Sequence, residues 1–199
     1  MKFKRGETLM RFRTHITRAF TLLEILIVVV IIGILAALIA PQLSGAADDA
    51  KVAKILAVCD AVRAAQQGHY NDTGQLGVED SNSTNANQHL LSLTQTTTGW
   101  KGPYLDHPIT VADNPFNGRV RVLNTFGGDA GGGFDLMGSG TDTVTGAGAY
   151  MVFYNVPQAA AQVANDIIDT GIGGTWSSTG RVEWTTNNRL IIFLFDIPG

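Results

Sequence analysis

The chain has 199 residues and a net charge of −3, with 45% hydrophobic and only 16% charged residues, where an average soluble domain carries about 25% charged ones. Its length excludes a large multidomain enzyme and suits one compact unit, two at most. The single cysteine, Cys59, excludes an intramolecular disulfide framework and a Cys-rich zinc site.

Residues 1–19 hold six basic side chains, Lys2, Lys4, Arg5, Arg11, Arg13 and Arg18, against one acid, Glu7. The remaining chain has eight basic and 16 acidic residues. That balance disfavours broad nucleic-acid binding, which draws on clustered Lys and Arg. Residues 20–40 then run for 21 positions with Glu24 as the only charge. As a helix this segment would measure about 32 Å, one hydrocarbon core. Basic residues before it and Asp48 and Asp49 after it orient the N-terminus to the cytoplasm and send the rest of the chain across the membrane. A cleaved secretory signal fits poorly, because the apolar run exceeds the usual stretch of about 7–15 residues and meets Pro41 directly after Ala40. A plain anchor accounts for length and orientation. It gives no reason for a carboxylate inside the run, which costs about 2.5–3.5 kcal/mol at a bilayer centre and less near its edge.

The residues taken together offer a third reading. A basic leader ends in Arg18-Ala19; Phe20-Thr21-Leu22-Leu23-Glu24 follows, and then an apolar helix containing Gly33 and ending near Pro41. This resembles the class III signal of type IV pilins and of the pseudopilins of type II secretion, with Ala19 where that family usually has Gly. The resemblance implies a leader, residues 1–19, removed by prepilin peptidase between Ala19 and Phe20, N-methylation of Phe20, and an apolar helix, residues 20–40, kept in the mature chain. It also implies that Glu24 pairs with the Phe20 amine of a neighbouring copy, so that Phe20, Glu24, Gly33 and Pro41 serve assembly. The implied partners are further copies of the chain, the inner-membrane assembly platform and minor pilins, with the membrane holding the subunit before assembly. The implied location is the bacterial inner membrane and then an extracellular pilus, or alternatively a periplasmic pseudopilus.

At Pro41 a kink or local melting is expected rather than a stop, because helix-forming residues resume at once. An amphipathic helix is expected within residues 41–70: Val52, Ile55, Cys59 and Val62 recur at offsets of three and four, and Asp48 with Lys51 and Asp60 with Arg63 make polar pairs. The stripe calls for a partner sheet, Cys59 reads as a core thiol, and Gly68 and Gly74 supply a stop and a turn. The head would span residues 71–199. It begins with a polar loop, a small helix around Leu90, Leu91 and Leu93, and a further loop. A Pro-anchored loop at Trp100-Lys101-Gly102-Pro103-Tyr104-Leu105 leads to a turn ending in Asn117-Gly118 and a strand over 119–123.

The segments Gly102-Pro103-Tyr104-Leu105, Asn114 to Gly118, and Gly133-Phe134-Asp135-Leu136 followed by a Gly- and Asp-containing loop resemble, in that order, the pattern of major pseudopilins. That likeness raises calcium as a cofactor, with Asp135 and Asp142 as oxygen donors and Asp129 nearby. Plain Gly-rich turns explain the same run. Farther on, Tyr150 to Tyr154 reads as a buried strand, Pro157 as the first residue of a helix to about Asp169, and 181–185 with 190–196 as a hairpin around Asn187-Asn188. The helix entry at Asn155-Val156-Pro157-Gln158 resembles the larger heads of some type IV pilins. His69, His89 and His107 share no ligand spacing and no nucleophile motif occurs, so an enzyme is not expected. The whole predicts an α+β protein, a long N-terminal helix on an antiparallel sheet as in the type IV pilin fold, working as a filament subunit or, alternatively, as the major pseudopilin of a type II secretion system.

Overall fold

The computed structural model describes residues 20–125, 133–139 and 143–197. The protein is α+β: a 52-residue helix, α1 (Leu22–Thr73), precedes an antiparallel β region with one further α-helix. The chain divides into two units, Met1–Leu43 and Ser44–Gly199, and α1 contributes to both.

In the first unit α1 starts at a cap. Thr21 Oγ1 accepts from the Glu24 N–H at 3.2 Å. Within Leu22–Ile39, mean hydropathy reaches 3.2 and no residue is buried, so this stretch is long and apolar enough to cross a membrane. The helix is continuous through Pro41, which neither stops nor melts it. A proline removes one main-chain donor, and the turns on both sides supply the rest.

In the second unit the expected stripe of α1 is the core. Val52, Ile55, Cys59 and Val62 are buried, and Ala65, Gln66 and His69 continue the line. The polar pairs form as expected, Lys51 with Asp48 at 3.3 Å and Arg63 with Asp60. Gly68, expected to end the helix, lies inside it. Its role is steric: a Cβ there would sit 3.0 Å from the Tyr104 ring, so the missing side chain makes room for Tyr104. The helix ends instead at Gly74, where φ is +70° and the N–H closes on the Tyr70 carbonyl at 2.8 Å.

The sheet has the order β1-β2-β5-β7-β6 and is antiparallel at every pairing. Its strands are β1 (Glu79–Asp80), β2 (Val120–Thr125), β5 (Ala147–Tyr154), β6 (Val182–Thr185) and β7 (Arg189–Asp196). A separate two-stranded ribbon joins β3 (Phe134–Asp135) and β4 (Thr143–Val144). Alternation sorts the side chains. Ala149, Met151 and Phe153 of β5 with Leu190, Ile192 and Leu194 of β7 meet the α1 stripe and α2 (Gln158–Ile168). Tyr150, Val152, Ile191 and Phe193 form a second cluster with Phe134. The two central strands are thus buried on both faces, which is why 150–154 carries an unbroken apolar run.

Three sequence expectations need correction here. The polar stretch 71–99 contributes strand β1, and the small helix expected around Leu90, Leu91 and Leu93 is a turn there, preceded by a single 3₁₀ turn at Ala86–Gln88. The strand expected at Tyr150 begins three residues earlier. Pro157 caps α2 rather than opening it, because its ψ of 151° is extended and its carbonyl accepts the Ala161 N–H at 3.0 Å. Edge strand β6 is blunted: the Val182 N–H is taken by Asp169 Oδ2 at 2.8 Å and the Trp184 N–H by the Ser177 carbonyl at 2.9 Å.

Candidate functional site

The residues singled out for assembly lie just before α1 or within its stretch 22–41. Phe20 is 72% exposed and precedes the cap at Thr21. Glu24 is the third residue of the helix and is exposed among Leu22, Leu23, Ile25 and Leu26, so one carboxylate stands in an otherwise apolar surface. Thr21-Leu22-Leu23-Glu24 also has the Ser/Thr-x-x-Glu spacing of a capping box, a start signal legible in the sequence and absent from the reading above. A carboxylate in the first turn gains about 0.3–1 kcal/mol from the positive end of the helix, which offsets part of its cost in an apolar setting. Gly33 has no atom within 4 Å of where a Cβ would be, so nothing in the chain itself requires glycine there. Within a helix glycine is unfavourable by about 0.5–1 kcal/mol relative to alanine. Pro41 lies inside the helix bounds, and Ala19 lies outside the described residues.

Of the residues named for calcium, Asp135 is the one among the described residues. Asp142 and Asp129 lie outside the described residues. Asp135 is half-buried in β3, and its carbonyl accepts from the Gly180 N–H at 2.7 Å. Among the described residues no group of three or more His, Cys, Asp or Glu is placed to hold a metal.

A buried polar cluster escaped the sequence reading. Glu79 of β1 is 1% exposed. Its Oε1 accepts from the Leu91 N–H at 2.9 Å, the Ser92 N–H at 3.0 Å and the Ser92 hydroxyl at 3.0 Å. Its Oε2 lies 2.9 Å from His89 Nδ1, and His89 Nε2 lies 2.8 Å from the Ser83 carbonyl. Burial acts against the charged ring, but the Ser83 and Glu79 contacts and the Glu79 and Asp80 charges outweigh it and raise the His89 pKa. Serine, histidine and glutamate meet here without the geometry of a nucleophilic triad, since the Ser92 hydroxyl is spent on the carboxylate and the far ring nitrogen on a main-chain oxygen. The cluster fastens the 79–93 segment to the sheet. The only sequence signal for it was two ionisable residues ten positions apart in an otherwise polar loop.

Beside α1 an open groove of about 270 Å³ is lined by Leu56, Cys59, Asp60, Arg63, Ile167 and Arg181, among others. Burial pushes the Cys59 thiol up to about 12, so it stays protonated and unreactive at neutral pH. On the second sheet face burial likewise lifts Glu183 of β6 to about 8.

Comparison of the chain with protein-family models, with curated proteins and with solved structures found no match.

Proposed function

We propose that this chain is a structural subunit of a type IV pilus-like filament, cut by prepilin peptidase between Ala19 and Phe20 and polymerised through α1. The observation that carries the reading is the division of labour along one helix. Over 22–39 every side chain is exposed and apolar except Glu24, while from Val52 onward the same helix supplies a buried stripe to the head. A membrane and a bundle of like helices satisfy the first stretch equally well, so a subunit could pass from one to the other with little net hydrophobic cost. The empty space around Gly33 fits close approach of a neighbouring helix. In this reading Glu24 pairs with the Phe20 amine of the next subunit, because a carboxylate enclosed by apolar helices needs a cation.

The pair Glu24→Ala and Glu24→Gln tests the charge. Glutamine keeps a side chain able to close a capping box and removes the charge, whereas alanine removes both. If charge pairing drives docking, both variants insert in the membrane and both lose filaments. Wild-type filament yield from Glu24→Gln would refute the pairing and leave Glu24 as a cap. The reading as a whole is tested by the N-terminal residue of the native protein. A mature chain beginning at methylated Phe20 supports it, and one still beginning at Met1, or beginning beyond Ala40, overturns it.

The alternative, the major pseudopilin of a type II secretion system, rests on the ordered segments at 102–105, 114–118 and 133–136. Calcium-dependent stability of the head, lost on Asp135→Ala or Asp142→Ala, would favour it; abundant sheared surface fibres would favour the pilus.

A further inference from the structure

The Glu79, Ser83, His89 and Ser92 cluster has a consequence for pH. An isolated antiparallel bridge sets Glu79 beside His89, and the imidazole is then held between two acceptors, a carboxylate at Nδ1 and a main-chain carbonyl at Nε2. A neutral imidazole has one N–H and can serve only one of them, so the geometry as it stands requires the doubly protonated ring. On the other side of the cluster Glu79 Oε1 receives three donors, a full set for a carboxylate oxygen. The two charges therefore balance each other in the interior.

We infer that the His89–Glu79 pair is a pH-sensitive latch that holds the 81–88 turn against the head while His89 is charged and releases it when the ring loses its proton. The neutral ring keeps its remaining N–H on Glu79, whose buried charge it must still serve. Nε2 then presents a lone pair to the Ser83 carbonyl, and that contact becomes repulsive. What it had fastened is the far side of a short turn whose near end stays tied to β2 by the Ser81 N–H to the Val120 carbonyl at 3.0 Å and the Val120 N–H to Ser81 Oγ at 2.8 Å. The rest is held by the Ser83 N–H on the Asp80 carbonyl and the His89 N–H on the Ala86 carbonyl, both at 3.0 Å, and by Gln95 Nε2 on the Ala86 carbonyl at 3.2 Å.

The charged groups around His89 act in one direction. From β1, Glu79 and Asp80 favour the cation. From β2, Arg119 and Arg121 pair with Asp80 and offset part of its charge. The 90–92 turn offers a hydroxyl and N–H groups to Glu79. From α1, Gln66 and His69 bond to the main chain of Gly77 and Gln75. Linkage follows from the sign: a histidine whose pKa is raised when latched stabilises the latched state below its free value of about 6.5, and that stabilisation is lost as pH rises through the latched pKa.

The test is amide hydrogen exchange on the full detergent-solubilised chain from pH 5.5 to 8.5, corrected for the intrinsic pH dependence of exchange, in wild type and His89→Asn. The expected result is an opening constant for peptides within 81–92 that rises by up to about tenfold per pH unit above 6.5 and then levels. Peptides from 52–66 of α1 should stay flat, and His89→Asn should abolish the rise. A flat wild-type profile, or an equal rise in His89→Asn, overturns the latch. Should His89→Asn fail to fold, the ring titration of wild-type His89 by NMR decides: a pKa above that of free histidine supports the latch, and one at or below it overturns it.

Discussion

Gln66 and Gln67 are adjacent on α1 and chemically identical, yet the fold gives them different work. Gln66 is fully buried: its Nε2 donates to the Gly77 carbonyl at 2.7 Å and its Oε1 accepts the Gly77 N–H at 2.9 Å, so one side chain satisfies both main-chain groups of a buried residue. Gln67 is exposed. Gln→Met preserves approximate volume and helix propensity and removes the amide, so the two substitutions differ only in what the amide was doing. Gln66→Met leaves a buried donor and a buried acceptor unpaired, at about 1–3 kcal/mol each, so a loss of about 2–6 kcal/mol is expected. Gln67→Met should lie within about 0.5 kcal/mol of wild type. Urea unfolding of the detergent-solubilised chain followed by tryptophan emission measures this cleanly, because Trp100, Trp176 and Trp184 all lie in the head. The upper half of that range would take a large share of a typical domain's stability of about 5–15 kcal/mol. Equal midpoints for the two variants would refute the reasoning, and would mean that water or a local shift serves Gly77 as well as Gln66 does.

Two further outcomes follow from ionisation. Cys59, with a thiol pushed up to about 12 by burial, should resist iodoacetamide at pH 8 in the folded chain and react once urea unfolds it; rapid labelling under native conditions would contradict its burial. Burial also lifts Glu183 to about 8 from an ordinary 4.5, so the folded head should lose stability as pH rises between those values. Glu183→Gln removes that penalty. Its melting temperature should gain on wild type from pH 5 to pH 8 and hold a constant lead above, whereas parallel curves would show that Glu183 ionises freely in the fold.

The sequence by itself determined the helical layout. An uninterrupted apolar run and a stripe recurring at three and four residues are local periodicities, and they fixed both the exposed stretch of α1 and the positions Val52, Ile55, Cys59 and Val62 that became its core. Strands carrying dense β-branched and aromatic residues, β5 and β7, were legible for the same reason, as was the turn at Asn117, whose φ of 55° suits asparagine. What the tertiary structure alone decided were contacts between distant residues. Gly68 reads as a helix stop until Tyr104, 36 residues later, is found occupying the space where its side chain would be. Strand β1 has two residues and no alternation, and exists because β2 pairs with it and Glu79 turns inward to gather His89, Leu91 and Ser92. Periodicity reports the face a residue presents. Whether a buried charge, amide or glycine is tolerated there depends on partners that only the folded chain brings within 3 Å.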